Sequence, residues 1–399
     1  MASDSTPTGP IRRRTPGRLA RMLLVVIVAL VVVVAGFAVY SYEAARPPSG
    51  KTLLTIYTYS SLFGGTCGPP PNVTAAVFAP FEAAHNVTIQ LECPSGTLVS
   101  TLVAQKNSPG ADLVVGLDEI TAAQADASGV LVPYVSTQLS NITPGLVSEI
   151  SPDHAVTPYE WGYLGIDYNA SFFTSTHGAV AQSSFQNFSS NSSWARQLMI
   201  EDPETDITGE EFLIWEIEYY EQVLHTNNWM AFWQAVDPSI RVAQDWSTAF
   251  SAFTTPPNNP QLVVSYTTDP AYAAFYGGPG AYNSTVSYTN GTYDGWKTVY
   301  GLGIVRGSSH LALDQDFINW FLSGTVQSEI PTNEWEYPAN RTIPVPGVFR
   351  YAPNPAEFVT LNNGVNATAL YSALANEWLP EWQTIYNNAA CPSGDGCGG

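Results

Sequence analysis

The sequence predicts an α/β fold held outside a membrane behind one spanning helix, and three observations lead to it. Apolar runs of strand length alternate with longer amphipathic stretches, the order expected of α/β layers. Residues 22–40 form 19 consecutive positions without a charge, directly after a cluster of arginines. The remaining chain, roughly 350 residues, exceeds one typical domain and predicts two.

Residues 1–21 are a basic arm holding Arg12, Arg13, Arg14, Arg18 and Arg21 beside one acid, Asp4. The apolar segment 22–40 matches, at helical rise, the roughly 30 Å hydrocarbon core of a bilayer. An arginine-rich flank marks the cytoplasmic side, so the rest of the chain is expected on the extracellular face of the cell membrane, single-pass and uncleaved. A cleaved signal peptide is the alternative: its apolar region usually runs about 7–15 residues, and Glu43-Ala44-Ala45 could supply small residues for cleavage. Residues 41–51 read as a linker. Strands are expected at 53–59, 112–117, 163–168, 262–266 and 299–305. Helices are expected at 73–84, 98–105, 119–127, 211–224, 229–236, 247–253, 315–322 and 367–386. Residues 391–399 form a small Cys/Gly tail.

Composition narrows the function. The chain has 34 acidic and 14 basic residues, a net charge of -20. From residue 22 onward 33 acids face 9 bases, a net of -24. Such a surface repels phosphate backbones and anionic head groups, which excludes nucleic acid as a partner of the folded part. An apolar fraction of 45% excludes disorder. Ten Asn-x-Ser/Thr sequons, at Asn72, Asn86, Asn141, Asn169, Asn187, Asn191, Asn283, Asn290, Asn340 and Asn366, suggest a glycoprotein. Four cysteines, Cys67, Cys93, Cys391 and Cys397, suit disulfides in an oxidising compartment and allow three pairings; Cys67 with Cys93 and Cys391 with Cys397 closes the shortest loops. The five histidines show no metal spacing, so no metal is expected. Enzyme signatures are missing: no Gly-x-Ser-x-Gly elbow, Walker loop, Gly-x-Gly-x-x-Gly or His-Glu-x-x-His occurs. Adjacent acids such as Glu210-Glu211 do not face one another on a helix, so they read as a solvated face rather than a glycosidase pair.

The informative pieces sit where strands end, the position at which open α/β sheets bind ligands. Tyr57-Thr58-Tyr59-Ser60-Ser61 closes the first strand and Gly116-Leu117-Asp118-Glu119 the second. Ser265-Tyr266-Thr267-Thr268-Asp269-Pro270-Ala271-Tyr272 closes a later one, with Asp269-Pro270 as the cap and first turn of a helix. All 11 tryptophans follow residue 160, and Trp246 and Trp335 stand in polar, turn-like surroundings. Each could simply pack against a neighbouring element. Gathered beside a carboxylate in a cleft, such aromatics would suit a flat organic cation, through contacts of roughly 0.5–2 kcal/mol each.

At these strand ends the chain resembles the thiamine-binding proteins of ABC importers, members of the periplasmic-type solute-binding superfamily. The resemblance spans roughly residues 52–386 and is carried most specifically by Ser265-Tyr266-Thr267-Thr268-x-Pro270-Ala271-Tyr272 and Pro331-Thr332-x-x-Trp335-x-Tyr337-Pro338. It runs also through Thr55 to Ser61, Ala111 to Asp118, Val156 to Tyr163, Asp202 to Thr205 and Asp245 to Phe250. It implies a two-lobed, periplasmic-binding-protein-like (type II) fold whose hinge closes an interlobe cleft on the ligand. The lobes are expected at 52–158 plus about 301–390, and at 159–300. By the resemblance Tyr59, Tyr272 and Trp335 wall thiamine's rings, with Ser60 beside them. Asp118 meets the aminopyrimidine edge, and Trp246 and Tyr266 lie near the hydroxyethyl or phosphate arm. It implies no catalysis and no cofactor, and an ABC permease as partner. Two departures stand out: Gly64-Gly65-Thr66-Cys67 occupies a place where the family has an aromatic wall, and Asp206-Ile207-Thr208-Gly209-Glu210 puts acids where the family binds phosphate. Unphosphorylated thiamine, or another organic cation, is therefore the expected ligand. The same fold with ferric iron or a polyamine is the nearest alternative, and a secreted hydrolase or surface-layer glycoprotein are alternatives of other classes.

Overall fold

A computed structural model describes residues 50–65, 72–173, 180–237, 239–278 and 280–390. The basic arm, the apolar segment 22–40, Cys67 and the tail with Cys391 and Cys397 lie outside the described residues. Among the described residues no helix is long and apolar enough to cross a membrane. The described residues from Leu53 onward make one compact unit.

In chain order the main elements are β1 (Thr52–Tyr57), α1 (Asn72–His85), β2 (Val87–Glu92), α2 (Leu98–Ala104), β3 (Leu113–Leu117), α3 (Glu119–Ser128) and β4 (Thr157–Tyr168). They continue with β5 (Leu198–Glu201), α4 (Ile207–Glu218), α5 (Met230–Val236), β6 (Arg241–Ala243), α6 (Trp246–Thr254), β7 (Leu262–Tyr266), α7 (Asp269–Tyr276), β8 (Lys297–Val305), α8 (Leu311–Phe321), α9 (Ala367–Ala373) and α10 (Leu379–Ala390). The strands line up as β2-β1-β3-β8-β4-β7-β5-β6. β1 runs parallel to β3, and β5 parallel to both β6 and β7. All five residues of β3 are buried, as a parallel strand covered on both faces requires.

β4 and β8 turn this order into two lobes. β4 is 12 residues long, about 40 Å at strand rise, so one strand serves both halves. Its first half pairs antiparallel with β8, from Leu302 opposite Thr157 to Lys297 opposite Tyr163. Its second half pairs with β7, from Leu164 opposite Tyr266 to Tyr168 opposite Leu262. β8 in turn carries the sheet on to β3. One apolar core gathers around β1, β3 and α8, and a second around β7, α4 and α5.

Three expectations need correcting. Glu210 and Glu211, expected on a solvated helix face, are 9% and 0% exposed, because α4 is buried almost all round in the second lobe. The C-terminal segment, expected with the first lobe, instead contributes Leu361, Leu370, Leu374, Trp378 and Trp382 to the second core. Trp382 meets Trp233 edge to face, with centroids 6.0 Å apart at 89°, one of the apolar contacts that hold α9 and α10 on the second lobe. The helix expected at 367–386 also divides, through a π-helical turn at Leu374–Trp378. Strands β2, β5, β6 and the first half of β4 were not anticipated. β2 is partly covered and alternates little, β6 has three residues, and Pro158 and Glu160 disguise β4.

Cys93 is disulfide-bonded, in keeping with an oxidising compartment. One sequon cannot accept a glycan on the folded chain: Asn340 is 2% exposed and its Nδ2 donates to Leu322 O at 3.2 Å.

Candidate functional site

A cavity of about 1090 Å³ lies between the lobes, lined from one side by the ends of β1 and β3 and from the other by the starts of α4 and α6 and the end of β7. Tyr300 of β8 and Glu160 of β4 reach it from the crossing strands. Six of the seven expected ligand-binding residues are on its wall: Tyr59, Ser60, Trp246, Tyr266, Tyr272 and Trp335.

Each is held by its neighbours. Tyr59 lies against β3 because Gly116, at φ +103°, has no side chain; a Cβ there would come within 2.3 Å of the Tyr59 ring. Its hydroxyl donates to Glu334 Oε2 at 2.8 Å and lies 3.0 Å from that of Tyr159. Trp246 opens α6 behind its cap Asp245, whose side chain accepts from Thr248 N. Its Nε1 donates to Ser265 Oγ at 2.9 Å and its ring stacks on Phe250, 5.0 Å away at 15°. The Tyr266 hydroxyl sits 2.6 Å from that of Tyr300 and 3.2 Å from Thr208 Oγ1. Trp335, at φ +62°, meets Tyr272 edge to face at 5.4 Å and lies parallel to Phe349. Ser60 Oγ and Ser247 Oγ, from opposite lobes, come within 3.5 Å at the mouth.

Asp118 is the exception. It is fully buried and is the N-cap of α3, its Oδ1 accepting from Thr121 N at 2.8 Å while its own N–H donates to Thr121 Oγ1 at 2.9 Å. That capping box turns the carboxylate along the helix and off the cavity wall. The carboxylates that do line the cavity were not assigned roles from sequence, apart from the acids at 206 and 210. Glu160, Glu334 and Glu336 cluster at the Tyr59 side, Asp206, Glu210 and Asp245 at the α4 and α6 starts, and Asp269 between. Among the described residues no lysine, arginine or histidine joins them on the wall. The Glu334-Trp335-Glu336 alternation was the one local signal: two acids flanking an aromatic in a turn.

Burial governs the titration here. Glu334 is pushed up to about 8, chiefly by burial, against hydrogen bonds from Tyr59 and from the Phe63 N–H that favour its charged form. Burial and then the neighbouring carboxylates raise Glu160 well above the usual range, and the same causes raise Glu336. Glu160 Oε2 and Glu336 Oε2 are buried without a hydrogen-bond partner. Burial also raises the phenols of Tyr59, Tyr266 and Tyr300, which therefore stay neutral and able to donate. Among the described residues the wall thus offers aromatic faces and carboxylates, and no basic side chain that could pair with an anion.

The family model for bacterial extracellular solute-binding proteins matches residues 76–330. The chain belongs to that family. This solute-binding protein is similar to the thiamine-binding periplasmic protein of Escherichia coli (strain K12), 27% identical over 342 residues, covering 84% of this chain and 94% of the relative. It is also similar to the thiamine-binding periplasmic protein of Brucella suis biovar 1, 25% identical, covering 87% and 96%. Among solved structures, one titled a periplasmic thiamin binding protein superposes with a TM-score of 0.69 at 24% identity, over 86% of this chain and 98% of that one. The likeness bears out the periplasmic-binding-protein-like fold of this solute-binding protein.

Proposed function

We propose that this protein captures thiamine, or a related heterocyclic cation, in the cleft between its lobes and hands it to an ABC permease without chemical change. The observation that carries this reading is the wall itself: seven carboxylates and no basic side chain among the described residues, interleaved with Tyr59, Trp246, Tyr272 and Trp335. The names of the relatives support the choice of thiamine. Glu160, Glu334 and Glu336, rather than Asp118, are the acids set to meet the amine-bearing ring. At the other end Asp206 Oδ1 accepts from Thr208 N and its Oδ2 from Trp246 N. The helix start that could receive a phosphate is thus already filled by a carboxylate, which favours unphosphorylated thiamine. The apolar segment 22–40 would anchor the chain with this domain on the extracellular face.

Ferric iron is the weaker reading. Tyrosinate ligands would be needed, and the Tyr266 and Tyr300 phenols are instead joined to each other, with burial and the Glu211 carboxylate opposing their ionisation. Isothermal titration of the full chain tests the proposal. Thiamine should bind, and thiamine monophosphate more weakly. No heat with either at millimolar concentration would end it, while a visible absorption band on adding ferric ion would revive iron.

A further inference from the structure

Behind the floor of the cleft, two helices of different lobes bring three carboxylates together. Asp118 caps α3, Glu119 is the first residue of that helix, and Glu211 lies in the second turn of α4. Each offers an oxygen, and the three oxygens lie within 4.8 Å of one another. Asp118 and Glu211 are 0% exposed and Glu119 is 8% exposed. On Asp118 and Glu211 one oxygen is engaged, by Thr121 and, at 3.4 Å, by the Tyr300 hydroxyl. The other oxygens, Asp118 Oδ2 and Glu211 Oε1, are buried without a hydrogen-bond partner. The three ion pairs among the described residues, at His85, Lys297 and His310, use other acids.

Buried carboxylates are tolerated when they are paired with a cation, hydrogen-bonded or bound to a metal. Here three buried carboxylates from two helices bring one oxygen each within 4.8 Å, and two of the three also carry an oxygen without a hydrogen-bond partner. Donors around a calcium ion sit at 2.3–2.6 Å from it and so stand no more than about 5 Å apart, a condition these three satisfy. All three are hard oxygen donors, which select calcium, magnesium or manganese over the softer transition metals. We propose that Asp118, Glu119 and Glu211 hold a calcium-type divalent cation that joins α3 of the first lobe to α4 of the second, separate from the organic ligand of the cleft. The site lies one hydroxyl, that of Tyr300, from the cavity lining. Occupancy there would set how far the lobes can part.

The test uses the full chain stripped with EDTA, with no thiamine present, so that its outcome is independent of the cleft's ligand. Terbium, whose luminescence nearby phenols such as Tyr300 would sensitise, should bind saturably at one site per chain and be displaced by calcium. Calcium should raise the melting temperature. Glu211→Gln keeps the side chain's shape and removes one repelling charge, so it should fold and melt no lower than the stripped parent. It should weaken terbium at least as much as loss of a metal site's outer-shell partner does, about 10- to 100-fold, and abolish the calcium-induced rise. Glu119→Gln should act the same way. A stripped chain that shows no saturable terbium signal and no calcium effect on melting overturns the proposal. So does terbium binding left unchanged by both substitutions, which would assign it to the acidic surface.

Discussion

At the scale of single residues, the site rests on Trp335 being held in an uncommon conformation rather than on its mere presence. Its positive φ turns the indole toward Tyr272 and Tyr276, while Glu334 and Glu336 on either side point their carboxylates into the cavity wall. Trp335→Ala should therefore remove one cation–π face, worth about 0.5–2 kcal/mol, and weaken thiamine by about 2- to 30-fold in calorimetry. An unchanged affinity in a folded variant would mean that the ring is only packing. Asp118 shows the opposite lesson. An aspartate directly after a strand and before a helix looks the same in sequence whether it faces a ligand or caps the helix, and only the bond to Thr121 N separates the two.

Among the elements, α4 and the C-terminal helices carry the clearest consequences. Asp206 caps α4 and also accepts from Trp246 N, so it locks α4 to α6 across the second lobe. Asp206→Ala should cost about 1–2 kcal/mol in denaturant unfolding. It should also narrow the preference for thiamine over thiamine monophosphate, since it frees the helix start; a preference that widens would contradict the role given to this acid. For α10, Trp382 is 2% exposed against Trp233 and Tyr386. Trp382→Ala should cost about 3–5 kcal/mol by leaving a cavity in the second core. A loss near zero would return the C-terminal segment to the surface of the fold.

For the whole molecule, the buried acids set the response to pH. Glu334 ionises ordinarily near 4.5 and is pushed up to about 8, mainly by burial. Asp269 goes from 3.8 to about 6 for the same reason. The Glu334 charge in turn opposes ionisation of Glu160 and Glu336, which burial already raises. Between the ordinary and raised values the folded chain holds more protons than the unfolded one. Stability is therefore fullest below the ordinary values and falls as pH rises through about 6 and then about 8. The melting temperature should be higher at pH 5 than at pH 8. Binding of a cation should run the other way, because the cation replaces those protons. Affinity should rise toward pH 8, and calorimetry in buffers of different ionisation heat should show protons released. A binding heat that does not change with buffer would rule out this coupling.

How much of this was legible in the sequence follows from the range of the forces involved. Acidic charge from residue 22 onward, strand–helix alternation and aromatics at strand ends and in polar turns are local or additive; they determined the α/β class and singled out Tyr59, Trp246, Tyr266, Tyr272 and Trp335, to which the family resemblance added roles. The tertiary structure alone decided that Glu160, Glu334 and Glu336 face the cleft, that Asp118 does not, and that α9 and α10 pack on the second core. Those outcomes depend on the register of β4 against β8 and on which apolar stripe finds which partner. Such contacts join residues more than a hundred positions apart, as between Glu160 and Tyr300, and no local pattern encodes the direction in which a buried side chain will point.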